Sequence, residues 1–258
     1  MPEMSAYGDG VPSWIDMASP DVEASKAFYT ALFGWQANPV PVPDAGGYTL
    51  FTLDGKQVAG VGAIMSSDQP PAWMTYINVS DADGVAKKVG DAGGSVLMAP
   101  MDIIHQGRMA VFADTAGAVL GLWQPAEHMG AQLVNEPGAY SWSELATRDT
   151  EGAKAFYAAV FGWQASSESS GPMEYTEFKL NGNSIAGMFN MADMMPADTP
   201  PHWGVYVAVA DCDATVDAAT RLGASVIAPA MDVPVGRFAV LQDPQGAVIR
   251  VIRLAGHA

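Results

Sequence analysis

Short apolar runs recur along the chain, and four of them are followed by an acidic residue and then by a helical pattern. These four runs have the length and composition of buried strands, and they span residues 12–18, 73–79, 140–146 and 203–209. The acidic residues can accept backbone hydrogen bonds at the first turn of a helix, and they are Asp21, Asp81, Asp149 and Asp211. Strand-like runs joined by glycine-containing turns follow each helix. The pattern predicts four units, each a strand, a helix and three further strands.

The sequence of the first helical segment occurs twice in the chain. KAFYTALFGWQA at 26–37 returns as KAFYAAVFGWQA at 154–165, and PPAWMTYINVSDAD at 70–83 is matched by PPHWGVYVAVADCD at 200–213. Within the first copy, Tyr29 and Phe33 lie four residues apart and therefore share a helix face that can pack on a sheet. A repeat of this length predicts two homologous domains.

The repeat also places the domain boundaries. Residues 127–138, EHMGAQLVNEPG, have polar and Gly/Pro character without a long periodic pattern, as expected of a linker. We therefore predict an N-terminal tail at 1–10, a first domain at 11–126 and a second domain at 139–254.

Composition narrows the possible partners. The 258 residues carry a formal net charge of -16, which disfavours nucleic acids and anionic membranes and favours a neutral or cationic small molecule. A single cysteine, Cys212, cannot form an internal disulfide. The chain begins without a leader pattern and contains no apolar run of membrane-spanning length. We expect a cytoplasmic protein that is a monomer or a homodimer.

A strand, an acidic residue and then AxxFY...LFGW, with a later DPQGAVIRVI strand at 243–252, resembles the vicinal oxygen chelate superfamily. That superfamily includes glyoxalase I, bleomycin-resistance proteins and extradiol dioxygenases. The openings SWIDMASPD and SWSELATRD are most similar to those of two-domain actinobacterial glyoxalase-like proteins. The resemblance implies an α+β fold of tandem domains, in which four βαβββ modules form two mixed sheets that curl into cups.

Enzymes of this superfamily usually hold a divalent metal in the cup. The positions that the resemblance assigns to metal ligands are Trp14, Met74 and Gly121 in the first domain, and Trp142, Gly204 and Arg250 in the second. None of these side chains is a suitable metal ligand, and Arg250 would repel a cation. We therefore expect no metal site and no other cofactor.

Strand alternation predicts what the cups contain instead. Asp16 shares a face with Trp14, and Glu144 shares one with Trp142. The same count predicts a first cup that also holds aromatic side chains, Tyr76 and Trp123. In the second cup it adds the polar side chains His202, Tyr206 and Arg250.

Two interpretations of these groups stay open. In one, Glu144 has a raised pKa and acts as a general base while His202 or Arg250 polarises a carbonyl. In the other, Glu144 and Arg250 neutralise each other and His202 caps its strand. Arg237 either meets an acidic ligand at the cup rim or bonds a turn carbonyl. His128 and His257, which follow the last strand of each domain, are expected to be exposed.

We predict a glyoxalase-like protein that binds a small organic ligand in an aromatic-walled cup without a metal. The predicted ligand-binding residues are Trp14, Asp16, Tyr76, Trp123, Trp142, Tyr206 and Arg237. The alternative is a lyase, isomerase or dioxygenase/hydroxylase acting on a small carbonyl or aromatic metabolite, with Glu144, His202 and Arg250 as catalytic residues. A role in protein interaction also stays open.

Overall fold

A computed structural model describes residues 3–41, 46–170, 173–192 and 194–256. His257, which we expected to be exposed, lies outside the described residues.

The chain folds into four successive βαβββ modules, as predicted. The first contains β1 (Pro12–Ser19), α1 (Val22–Phe33), β2 (Gln36–Pro39), β3 (Thr49–Leu53) and β4 (Lys56–Ala63). The second contains β5 (Ala72–Asn78), α2 (Ala82–Asp91), β6 (Ser95–Ile103), β7 (Gly107–Ala113) and β8 (Val119–Pro125). The third contains β9 (Tyr140–Thr147), α3 (Thr150–Phe161), β10 (Gln164–Ser170), β11 (Met173–Leu180) and β12 (Asn183–Asn190). The fourth contains β13 (His202–Ala208), α4 (Cys212–Arg221), β14 (Ser225–Val233), β15 (Gly236–Gln242) and β16 (Val248–Leu254).

The helix ends follow from local chemistry. Each predicted acidic cap accepts a backbone N–H from the first helical turn; the Asp21 side chain, for example, accepts from the amide of Ala24. The helices α1 and α3 end at Gly34 and Gly162, whose φ angles of 71° and 73° are left-handed. None of the helices in the described parts of the chain has the length and hydrophobicity that a bilayer crossing requires.

Two modules form each eight-stranded sheet. The strand order is β2-β3-β4-β1-β5-β8-β7-β6 in the first sheet and β10-β11-β12-β9-β13-β16-β15-β14 in the second. At the centre of the first sheet, β1 and β5 run antiparallel, and each pairs on its other side with a parallel strand of its own module. The second sheet repeats this mixed pairing.

The two domains share their hydrophobic cores. One core joins the first module to the fourth and includes Ile15 and Tyr29 together with Val205 and Leu241. The other joins the second and third modules. Each core therefore requires side chains from both halves of the chain.

The duplicated helix lies at the centre of this interface. The Tyr29 hydroxyl donates to Oδ2 of Asp243 at 2.8 Å and accepts from the Trp73 indole at 2.8 Å. In the other core, the Tyr157 hydroxyl donates to Asp114 at 2.9 Å. The repeat thus supplies matched buried contacts across the domain boundary, in addition to the helix-on-sheet packing that we predicted.

The predicted linker and tail lie along the first domain. Leu133 is buried and forms a β-bridge with Glu3, while the Tyr7 hydroxyl donates to the carbonyl of Ala131 at 2.6 Å. Ala131 of this segment packs against Trp14, Tyr76 and Trp123, so the segment passes over that face of the first sheet.

Candidate functional site

Each sheet has one face toward the shared cores and one face toward its cup. Along β1, Ile15 and Met17 are fully buried in a shared core, while Trp14 and Asp16 lie on the opposite face. This alternation follows from the two-residue period of a strand. The cup faces therefore carry the tryptophan and carboxyl side chains that strand alternation predicted to lie together.

The first cup contains a hydrogen-bonded group of four side chains, which we call the first tetrad: Trp14, Asp16, Tyr48 and Tyr76. Oδ2 of Asp16 accepts from the hydroxyl of Tyr48 at 3.0 Å and from that of Tyr76 at 3.2 Å. The Trp14 indole N–H donates to the Tyr48 hydroxyl at 3.1 Å. Together these bonds fix the Asp16 carboxyl against an aromatic wall.

Asp16 has a perturbed acidity. Burial raises the pKa of Asp16 from 3.8 to about 7, and the hydrogen bonds from Tyr48 and Tyr76 oppose this rise without cancelling it. Taken as a whole residue, Asp16 is half-buried. Near neutral pH this group can therefore both hold and release a proton.

His128 belongs to the first cup, and our expectation that it is exposed was wrong. Its ring lies 4.4 Å from that of Trp14 in an edge contact, and its Nδ1 is 2.9 Å from Oε1 of Gln57. The Trp123 indole donates to the His128 carbonyl at 2.7 Å, which turns the chain after β8 back over the cup. Burial lowers the pKa of His128 to about 4, so the ring is neutral at physiological pH.

The second cup has a similar arrangement, with a glutamate in place of the aspartate. We call Trp142, Glu144, Tyr175 and Tyr206 the second tetrad. The Tyr206 hydroxyl donates to Oε2 of Glu144 at 2.8 Å, and the Trp142 indole donates to the Tyr175 hydroxyl at 3.1 Å. Alternation thus correctly placed Glu144 and Tyr206 on one face.

Arg250 and His202 are brought together in the second cup. Nη2 of Arg250 lies 3.4 Å from Nε2 of His202, and the guanidinium carbon is 5.5 Å from the centre of the Tyr206 ring. A β-carbon at Gly204 would overlap Nη1 of Arg250, so the guanidinium occupies the space left by that glycine. Glu144 and Arg250 do not form a direct ion pair. The interpretation in which these two residues neutralise each other through such a pair therefore does not hold.

Arg237 is not brought to a cup. Its guanidinium pairs with Asp213 of α4, with Nε to Oδ2 at 2.8 Å, and with Asp232 at 3.2 Å. The adjacent Phe238 faces the second cup and contacts the Tyr206 ring. Arg237 therefore points to the helix-covered face, which corrects both the predicted rim contact with a ligand and the predicted bond to a turn carbonyl.

The positions that the resemblance assigns to metal ligands do not fit a divalent metal. Met74 pairs with Asp16, and Gly121 pairs with Tyr76, so these positions do lie across the cup centre. In the second cup one of them holds the Arg250 cation. Across the described ranges, no group of three or more His, Cys, Asp or Glu side chains is placed to hold a metal ion.

Three cup residues were missed by sequence reasoning: Tyr48, Tyr175 and His128. A signal for the two tyrosines was present, because YTLFTL at 48–53 and YTEFKL at 175–180 align once the repeat is written out. His128 carried no comparable signal, since its position depends on how the chain turns after β8.

Comparison with known families agrees with this architecture. Residues 12–122 match the model of the glyoxalase/bleomycin resistance protein/dioxygenase superfamily. Residues 142–252 match a glyoxalase-like domain. The chain belongs to this superfamily. It is a tandem member, and each matched range covers one of the two sheets.

Superfamily relatives extend over the whole chain. "Putative glyoxylase CFP32" of Mycobacterium tuberculosis is 45% identical over 99% of both chains. The "Anthracycline biosynthesis protein DnrV" of Streptomyces peucetius is 40% identical over 97% of this chain and 96% of its own. The structure of the Mn(II)-bound glyoxalase from Novosphingobium aromaticivorans has a TM-score of 0.64 and covers 97% of this chain and 86% of its own. At 16% identity, that structural likeness shows the fold alone.

Proposed function

We propose that this protein binds a planar aromatic small molecule in its cups and that binding requires no divalent metal. The observation that carries the proposal is the tetrad itself. In both cups a carboxyl group and two tyrosine hydroxyls lie against a tryptophan, close to where the superfamily resemblance places metal ligands.

The tetrads supply what such a ligand needs. Tryptophan and tyrosine rings offer large apolar surfaces for stacking, and the carboxyl group orients a ligand through its hydrogen-bonding groups. Asp16 uses Oδ2 for both of its tyrosine contacts, which leaves Oδ1 for a ligand donor. The name of the Streptomyces relative, an anthracycline biosynthesis protein, makes fused-ring aromatic compounds the first class to test.

The test is a titration of metal-stripped protein with a dihydroxyanthraquinone and with naphthamide, followed by tryptophan fluorescence and calorimetry. We expect saturable binding that is unchanged when Mn²⁺ or Zn²⁺ is added back, and no binding of the non-planar cyclohexanecarboxamide. Binding that appears only after metal is restored would overturn the metal-independent proposal. Failure of every planar probe would overturn the aromatic ligand.

A second function is favoured by one observation, the raised pKa of Asp16. At about 7, this carboxyl can take a proton from a carbon next to a carbonyl group and return it to a neighbouring atom, which is an isomerisation that consumes no co-reactant. The Tyr76 hydroxyl donates its single hydrogen to Asp16 and so orients this carboxyl. Turnover of methylglyoxal hemithioacetal by metal-stripped protein, and its loss in Asp16→Asn, would favour this enzyme over a binding protein.

A further inference from the structure

The second cup contains a buried cation without a partner anion. Arg250 is 3% exposed, and it forms no ion pair with any carboxylate of the described residues. The arginines on the outer face behave differently, since Arg108 and Arg237 each bond two aspartates. Burying an unpaired guanidinium costs free energy that a ligand oxyanion would recover.

The guanidinium is held in a fixed position with donors to spare. Nδ1 of His202 lies 3.0 Å from the carbonyl of Pro200 and donates to it, which leaves Nε2 as an acceptor for one N–H of Arg250. A guanidinium carries five N–H donors in a planar fork. Within the described parts of the chain, His202 is the hydrogen-bond partner of that fork.

The first cup lacks this feature at the matching positions. Where the second cup has Gly204 and Arg250, the first has Met74 and Gly121. In the first cup the large side chain, Met74, lies on the central strand β5, and the glycine lies on the parallel neighbour β8. In the second cup the glycine lies on the central strand β13, and the large side chain, Arg250, lies on its parallel neighbour β16. The cation is therefore a property of the second cup alone and not of the shared fold.

We propose that the second cup selects planar aromatic ligands that carry an oxyanion, a carboxylate or a phenolate, and that Arg250 binds this group through its free N–H fork. This inference rests on the proposed function and names the ligand class of one cup. Both Glu144 and Arg250 contact Tyr206, whose hydroxyl donates to Glu144 at 2.8 Å and whose ring centre lies 5.5 Å from the guanidinium carbon, so a ligand here meets a carboxylate acceptor as well as the Arg250 donors. The net charge of -16 does not prevent this, because charges beyond about 8 Å are largely screened at physiological salt.

The experiment compares naphthoate with naphthamide, which share a ring system and differ in charge. Binding of each to the full-length protein is measured by calorimetry, with Arg250→Gln, Arg250→Lys and a matched control, Arg253→Gln. Arg253 lies on the same strand but is exposed. We expect the wild type to bind naphthoate roughly ten- to a hundredfold more tightly than naphthamide, as for a charge-assisted hydrogen-bond pair. Arg250→Gln should abolish this preference, Arg250→Lys should retain part of it, and Arg253→Gln should leave it unchanged.

The outcomes separate the two proposals. If naphthoate and naphthamide bind the wild type equally, the oxyanion inference fails while the proposed aromatic function stands. If the preference survives in folded Arg250→Gln, the anion binds elsewhere and the inference also fails. If neither compound binds, the oxyanion inference fails, and the proposed aromatic function fails with it when the dihydroxyanthraquinone does not bind either. The wild-type comparison requires no variant, so a misfolded Arg250→Gln does not prevent a decision.

Discussion

Replacing Asp16 by asparagine removes a carboxyl group whose charge changes near neutral pH. The pKa of Asp16 is raised from 3.8 to about 7 because the first cup removes the carboxyl from water. Between these values the folded protein keeps a proton on Asp16 that the unfolded chain has released. Protonated Asp16 therefore stabilises the fold fully below about pH 4, and this contribution is lost as the pH rises through about 7.

The size of this change in the free energy of unfolding follows from the interval between the two pKa values of Asp16. We measure from pH 5 upward, because the isoelectric point is near 4.3 and uncharged protein associates. About two pH units of the interval lie above pH 5, which correspond to about 2.7 kcal/mol at about 1.4 kcal/mol per unit. Because Asp16 is half-buried and solvent screens part of the effect, we expect about 1.5 kcal/mol.

The assay is urea unfolding followed by tryptophan fluorescence at several pH values from 5 to 8.5. The free energy of unfolding of the wild type should fall by about 1.5 kcal/mol relative to Asp16→Asn across this range. Asp68→Asn, which changes an exposed carboxyl, is the control and should run parallel to the wild type. Tyr76→Phe removes a hydrogen bond that lowers the pKa, so it should move the midpoint of the fall upward. Parallel curves for the wild type and Asp16→Asn would refute the burial argument.

Three further predictions concern other parts of the fold. Tyr29→Phe and Tyr157→Phe should each lower the free energy of unfolding by about 1.5–3 kcal/mol, because each leaves a buried aspartate oxygen without its hydrogen-bond donor. Urea unfolding measures this change, and a loss below about 0.5 kcal/mol would contradict the prediction. Gly204→Ala should displace the Arg250 guanidinium and weaken naphthoate binding by calorimetry as strongly as Arg250→Gln does, whereas unchanged affinity would show that the guanidinium has another position. Ile104 has a φ of 50°, which is unfavourable for a β-branched side chain, so Ile104→Gly should raise the free energy of unfolding by about 1 kcal/mol; a decrease would mean that the turn carries no strain.

Much of the fold could be predicted from sequence because its signals are local or repeated. Strand alternation placed Asp16 beside Tyr76 and Glu144 beside Tyr206, since neighbouring antiparallel strands keep one face in register. The same rule should have excluded Arg237, because its neighbour Phe238 pairs with Ile252 on the cup face.

The remainder depends on distant contacts. Tyr48 precedes β3 and reaches Asp16 across two intervening strand pairings, a path that no local pattern specifies. The burial of His128 follows from a chain reversal fixed by hydrogen bonds to Gln106 and Trp123. The raised pKa of Asp16 likewise required the burial that the complete cup provides.

The repeated helix residues contribute to the shared cores, whereas some cup positions differ between the copies, and this explains why the repeat alone is a poor guide to chemistry. Tyr29 and Tyr157 are identical in both copies, and each bonds an aspartate of the opposite domain. A change in either copy would unbalance a core that both domains share. The cup faces are not bound by that pairing, so one can hold Gly121 where the other holds Arg250. The duplicated segment therefore joins the two domains through their shared cores. The cup positions where the copies differ are where two ligand preferences can arise.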